Sequence, residues 1–174
     1  MTNLNGGTLF NAEFGIRHRA APYRKGQVLH SVFAAAQSIL LVEDNPDDVA
    51  LMLHALKSNN MSNDIVIAED GQQALTKLFG NVETPINPAL ILLDLNLPII
   101  RGLEVLKKVR DNEKTRLTPV VVMTSSLELS DRYSAYRCGA NSYIRKPVDF
   151  DEFVKVIHEL SRYWLQINCP ALDA

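Results

Sequence analysis

Residues 89–98 read ALILLDLNLP. The run 89–93 is apolar at every position, Asp94 interrupts it, and Pro98 closes it. A strand that is apolar throughout, rather than at alternate positions, has no solvent face, and such strands belong to parallel sheets covered by helices on both sides. An aspartate directly after that run therefore falls at the carboxyl edge of the sheet. Doubly wound sheets gather their functional groups at that edge.

The same grammar repeats on either side. Upstream lie SILLVEDN at 38–45 and DIVIAEDG at 64–71; downstream lie PVVVMTSS at 119–126 and NSYIRKP at 141–147. Between these strands, apolar residues recur at helical spacing. Val49, Met52, Leu53 and Leu56 mark one helix, Ala74, Leu75, Leu78 and Phe79 a second, and Leu103, Val105, Leu106 and Val109 a third. A weaker fourth helix covers about 129–138, with Gly139 as its C-cap. A fifth runs from Val148 to Trp164, with Asp149 as N-cap and Glu152 three residues on, the pattern of a capping box. Five strands alternating with five helices predict a doubly wound (βα)5 sandwich around a central five-stranded parallel sheet.

The chain has 174 residues, 47% of them hydrophobic and 22% charged, which is ordinary for a globular protein. Its formal charge of -2 gives no support to direct nucleic-acid binding. That charge is an average of unlike segments. Residues 1–37 hold four basic residues and one acidic, and the remainder holds fourteen and nineteen. The expected organisation is an N-terminal extension at 1–37, partly disordered with helical character only at 28–36, a domain at 38–163, and a tail at 164–174. No run approaches 18 consecutive apolar residues, so a membrane-spanning helix is not expected. Cys138 and Cys169 make neither a disulfide scaffold nor a zinc site, and a reducing, cytoplasmic compartment fits them. Cys138 is expected to be a buried helix residue.

Three further strands also end in a polar group of interest. Glu43 and Asp44 end the first, Asp94 the third, Thr124 the fourth and Lys146 the fifth. Carboxylates that converge at one edge repel unless they share a cation. Oxygen donors suit a hard ion such as Mg²⁺, which keeps waters and leaves room for a phosphate oxygen. Lys146 offers a compact charge and Thr124 a hydroxyl for a phosphoryl oxygen. Together these are parts for phosphoryl transfer onto an aspartate. Asp47 and Asp48 are read first as first-turn residues of the first helix, favoured by its dipole, with added negative field near the site as the alternative. Pro147 leaves open a cis bond that would aim Lys146.

The segment 38–163 resembles the receiver domain of bacterial two-component response regulators. LLVEDN, LLDLNLP, VVVMTSS and YIRKP carry the resemblance, in order and at matching spacing. It implies the flavodoxin-like strand order 2-1-3-4-5. It also implies that Asp94 is the phosphoacceptor, with Mg²⁺ held by Glu43, Asp44, Asp94 and the Asn96 carbonyl. Thr124 then falls on the switch hydroxyl, Tyr143 on the switch aromatic and Lys146 on the active-site lysine. VEDNPDDVALMLHALK, the long loop before ALILLDLNLP and the Tyr163-Trp164-Leu165 tail look like single-domain regulators paired with phytochrome-type histidine kinases. A sensor histidine kinase is then the implied partner, and autocatalytic phosphotransfer with slow self-dephosphorylation the implied chemistry. Ile100-Arg101-Gly102 departs from many relatives and is expected to tune the partner surface.

Helix five carries more apolar residues than one packed face needs, including Phe150, Tyr163, Trp164 and Ile167. They predict a homodimer through the fourth helix, fifth strand and fifth helix. About ten residues follow Tyr163, too few for a DNA-binding output domain. The rival reading is a phosphorylation-independent adaptor with a receiver fold, whose signature would be a missing acid pair, acceptor or lysine. A second rival, an aspartyl-phosphate phosphatase, needs an acid two residues after Asp94, where this chain has Asn96.

Overall fold

The computed structural model describes residues 38–58, 63–80 and 85–169. The expected N-terminal extension and the last five residues of the tail lie outside the described residues. The strands are β1 (Ile39–Val42), β2 (Ile65–Ala68), β3 (Leu90–Leu93), β4 (Val120–Thr124) and β5 (Ser142–Arg145). The helices are α1 (Pro46–Ser58), α2 (Gly71–Phe79), α3 (Gly102–Asp111), α4 (Leu129–Arg137) and α5 (Phe150–Arg162). All pairings are parallel, in the order β2-β1-β3-β4-β5. The expected doubly wound (βα)5 fold and its strand order are both present.

β1, β3 and β4 are buried at every position. Their alternate residues feed opposite faces of the sheet. Leu40, Val42, Ile91 and Leu93 pack with Ala74, Leu78, Val105, Leu106 and Val109 of α2 and α3. Ile39, Leu41, Leu90, Leu92, Val121 and Met123 pack with Met52 and Leu56 of α1 and Phe153, Ile157 and Leu160 of α5. The edge strands differ from expectation: β2 and β5 are mostly half-buried. Each pairs on one side only, so their apolar residues meet less cover.

Local signals explain the element ends. The Asn45 side chain accepts from the Asp47 N–H at 2.9 Å, and Pro46 opens α1, where a missing N–H costs nothing. Asp70 caps α2 by accepting from the Gln73 N–H at 2.7 Å. Asp149 caps α5 by accepting from the Glu152 N–H at 2.9 Å, which is one arm of the expected capping box. Gly139 follows the Cys138 cap of α4 with φ +92°, a left-handed conformation natural to glycine. Cys138 is half-buried, not buried, because it sits at the cap rather than on the packed face. Helical backbone continues past Trp164: a π turn spans Tyr163–Ile167, closed by the Asn168 N–H on the Tyr163 carbonyl at 2.7 Å.

α4 is the lightest-packed helix, with Ala135 its one buried residue. Leu129, Tyr133 and Tyr136 are exposed. At the opposite edge from the strand carboxyl ends, Arg110 ties three segments together. Its guanidinium donates to the carbonyls of Gly139 at 2.8 Å, Thr118 at 2.8 Å and Arg116 at 3.2 Å, and to Asn141 Oδ1 at 2.7 Å. Burial pushes its pKa below the ordinary arginine value.

Candidate phosphoacceptor and metal site

β1 and β3 are hydrogen-bonded neighbours in register, Val42 opposite Leu93. The residues that follow them, Glu43 and Asp94, therefore emerge side by side. Oxygen atoms of Glu43, Asp44 and Asp94 all lie within 4.8 Å of one another. Glu43 is 1% exposed and Asp94 6%, while Asp44 faces solvent. The Asn96 N–H donates to Asp94 Oδ1 at 3.1 Å, which fixes the carboxylate plane. Gly102 makes the close return of the loop possible: a Cβ there would run into the Asp94 carbonyl oxygen.

Lys146 enters from the far side. Its ammonium donates to Glu43 Oε2 at 2.7 Å, Asp48 Oδ2 at 2.7 Å and Asp94 Oδ2 at 2.9 Å. The bond before Pro147 is trans. Burial works against the ammonium charge, but the bonds to Asp48 and Glu43 and the charge of Asp94 outweigh it and raise its pKa. Burial also pushes Glu43 up, to about 7, against the opposing bond and charge of Lys146, with Asp94 adding to the rise. One cation serves more carboxylates than it can neutralise. The excess of negative charge, all on oxygen, fits a hard divalent cation.

The structure thus brings together Glu43, Asp44, Asp94 and Lys146, with Asn96 beside them through its backbone. Thr124 ends β4 beside Lys146, whose backbone N–H donates to the Thr124 carbonyl at 2.9 Å, and the side chains of Thr124 and Tyr143 bond to Ser126 in the β4–α4 loop. The Thr124 hydroxyl is fully buried and accepts from the Ser126 N–H at 3.3 Å. Tyr143 is half-buried and donates to the Ser126 carbonyl at 3.5 Å. Burial, and then the Asp131 charge, pushes the Tyr143 phenol up, so it remains a neutral donor. Ser126 in turn donates to Asp131 Oδ2 at 2.6 Å.

Asp48 belongs to the lysine-centred group, where the sequence offered it as a first-turn acid or a source of negative field and not as a partner of Lys146. Its signal is spacing: on α1 it lies five residues after Glu43, about one helical turn past the strand end. Ile100 is also placed differently from expectation. It packs against the core beside α2, and Ile99 is the residue that faces outward, 78% exposed.

Comparison with known proteins identifies the family. A family model described as the response regulator receiver domain matches residues 39–158. Response regulator Rcp1 of Synechocystis sp. is 35% identical over 136 residues, covering 76% of this chain and 92% of that protein. The crystal structure of the Mn²⁺-bound form of Rcp1 is similar at TM-score 0.73 and 33% identity, covering 78% of this chain and 99% of that one. The bacteriophytochrome response regulator RtBRR is 42% identical at TM-score 0.62, covering 79% of this chain and 82% of that one. Among the described residues no helix is long and apolar enough to cross a membrane. The chain belongs to the response regulator receiver family and is closely related to its phytochrome-associated members.

Proposed function

We propose that this chain is a response regulator that accepts a phosphoryl group on Asp94 from a phosphohistidine of a sensor histidine kinase, in phytochrome-type light signalling. The observation that carries the reading is the convergence of Glu43, Asp44 and Asp94 oxygens within 4.8 Å, with Lys146 Nζ 2.9 Å from Asp94 Oδ2. In the transfer, one Asp94 oxygen forms a bond to phosphorus as the phosphorus–nitrogen bond to the donor imidazole breaks. The imidazole nitrogen keeps the electron pair. Lys146, relieved of part of the Asp94 charge, turns the same donor to a phosphoryl oxygen.

Glu43, Asp44, Asp94 and the Asn96 carbonyl are the residues that would hold Mg²⁺. When bound, the ion neutralises charge between the acids and the incoming phosphoryl group. Thr124 then leaves the Ser126 N–H to donate to a phosphoryl oxygen. Tyr143 gives up its weak bond to the Ser126 carbonyl and turns into the space vacated. The result is a changed face on α4 and β5, a local charge event read out by a two-position element. The same residues support autocatalytic uptake and slow hydrolysis of the phosphoryl group. A cytoplasmic location belongs to this reading, because the phosphohistidine donor is made from ATP.

The reading extends to a symmetric homodimer through α4, β5 and α5. Exposed Leu129, Tyr133, Phe150, Tyr163 and Ile167 favour it. Trp164 is less available than the sequence implied: it is half-buried against the core, with the Tyr163 ring edge-on at 5.0 Å. Phosphotransfer profiling tests the partner. Purified histidine kinases of the host, phytochrome-type ones included, are each loaded with labelled phosphate and mixed with the chain. Fastest transfer from a phytochrome-type kinase is expected; preferential transfer from another class removes the light-signalling role. Light scattering that shows only monomer, with and without beryllofluoride, removes the dimer.

A further inference from the structure

The three carboxylates on the Lys146 ammonium are not equivalent. Glu43 and Asp94 also belong to the group whose oxygens converge; Asp48 does not. An ammonium has three N–H donors, and here all three are used. The side chain of Lys146 is 8% exposed, so water offers little compensation for a lost partner. A divalent cation on the converging carboxylates draws charge away from two of the three partners and faces the ammonium across them. A buried cation left unpaired beside a second cation is strongly disfavoured.

We propose that Asp48 is a positioning residue that keeps Lys146 paired, and drawn aside, while a hard divalent cation occupies Glu43, Asp44 and Asp94. Asp48 holds the ammonium as closely as Glu43 does, at 2.7 Å each, with Asp94 at 2.9 Å, so one full-strength partner lies outside the converging carboxylates. Asp48 is held for the task by its own helix end, where the Asn45 side chain also accepts from the Asp48 N–H at 3.5 Å. Its side chain is 30% exposed, so water still reaches it. Asp47 stands in the same turn with the same relation to the helix dipole, but is exposed and outside the lysine-centred group. It is a natural control. The inference rests on the divalent-cation part of the receiver reading and not on the phosphoryl transfer itself.

The test is calorimetric titration of the full chain with Mg²⁺ alone. Asp48→Asn is expected to weaken Mg²⁺ binding about tenfold, and Asp47→Asn less than about twofold. In a Lys146→Met background the Asp48→Asn effect should shrink to less than about twofold, because no ammonium remains to be paired. Lys146→Gln serves the same cycle if the methionine variant does not fold. Asp48→Asn binding like the wild type overturns the proposal. So does a loss of equal size in the Lys146 background, which makes Asp48 a simple source of negative field. Phosphoryl uptake by the wild type from acetyl phosphate is measured alongside. A wild type that takes up none while the coupling holds defeats the receiver reading and leaves the role of Asp48 standing.

Discussion

Lys146 Nζ lies 2.7 Å from Glu43 Oε2, yet the Glu43 carboxyl is held up at about 7 and not down. Burial of Glu43 outweighs the attraction of a lysine that is already shared with Asp48 and Asp94.

This has a consequence for stability. A raised carboxyl means that the folded state binds more protons than the unfolded one between about pH 4.5 and 7. The stabilisation is complete below the lower value and is lost as pH rises through the upper one. Glu43→Gln, which cannot titrate, lacks that slope. Urea unfolding in the presence of a chelator is expected to show the wild type losing about 2 kcal/mol relative to Glu43→Gln between about pH 5.5 and 8. Parallel profiles for the two proteins would contradict the assignment.

Arg110 should matter to stability and not to chemistry. Removing it leaves the carbonyls of Gly139 and Thr118 and the Asn141 side chain short of a donor. Arg110→Met is expected to cost about 2–4 kcal/mol in denaturant unfolding. Arg110→Lys should recover little, because one ammonium cannot span the fork. Phosphoryl uptake by the folded fraction should be unchanged.

Ile99 carries the one non-glycine positive φ among the described residues, at 64°, in a tight turn closed by the Ile100 N–H on the Pro98 carbonyl at 2.7 Å. A left-handed conformation costs a side chain with a Cβ about 1–2 kcal/mol. Being exposed, Ile99 recovers little of that by burial. Ile99→Gly is therefore expected to raise the unfolding midpoint, by about 1 kcal/mol in stability. A lower midpoint would show that Ile99 makes contacts that offset the strain.

The fold was legible because β1, β3 and β4 are apolar at every position, which admits one kind of sheet. The edge strands β2 and β5 carry the same composition but lose cover on one side, and composition does not report which strand is an edge. The carboxylate cluster and its lysine were legible because each follows directly from a strand end: Glu43, Asp44, Asp94 and Lys146. Asp48 was not, since an acid in a helix's first turn has a sufficient local reason to be there. Its contact with Lys146 spans 98 positions of chain and is set by how α1 packs on the sheet. Arg110 was hidden similarly. Its partners are backbone carbonyls, which no side-chain motif announces. Thr124 and Tyr143 were placed by resemblance, and both bond to Ser126.

Asp94 is the proposed acceptor of the phosphoryl group. The most direct measurement is intact-protein mass after incubation with acetyl phosphate and Mg²⁺, comparing the wild type with Asp94→Asn. One phosphoryl group, labile to acid, to alkali and to hydroxylamine, is expected on the wild type and none on Asp94→Asn. Equal uptake by both proteins, or none by the wild type, would contradict it.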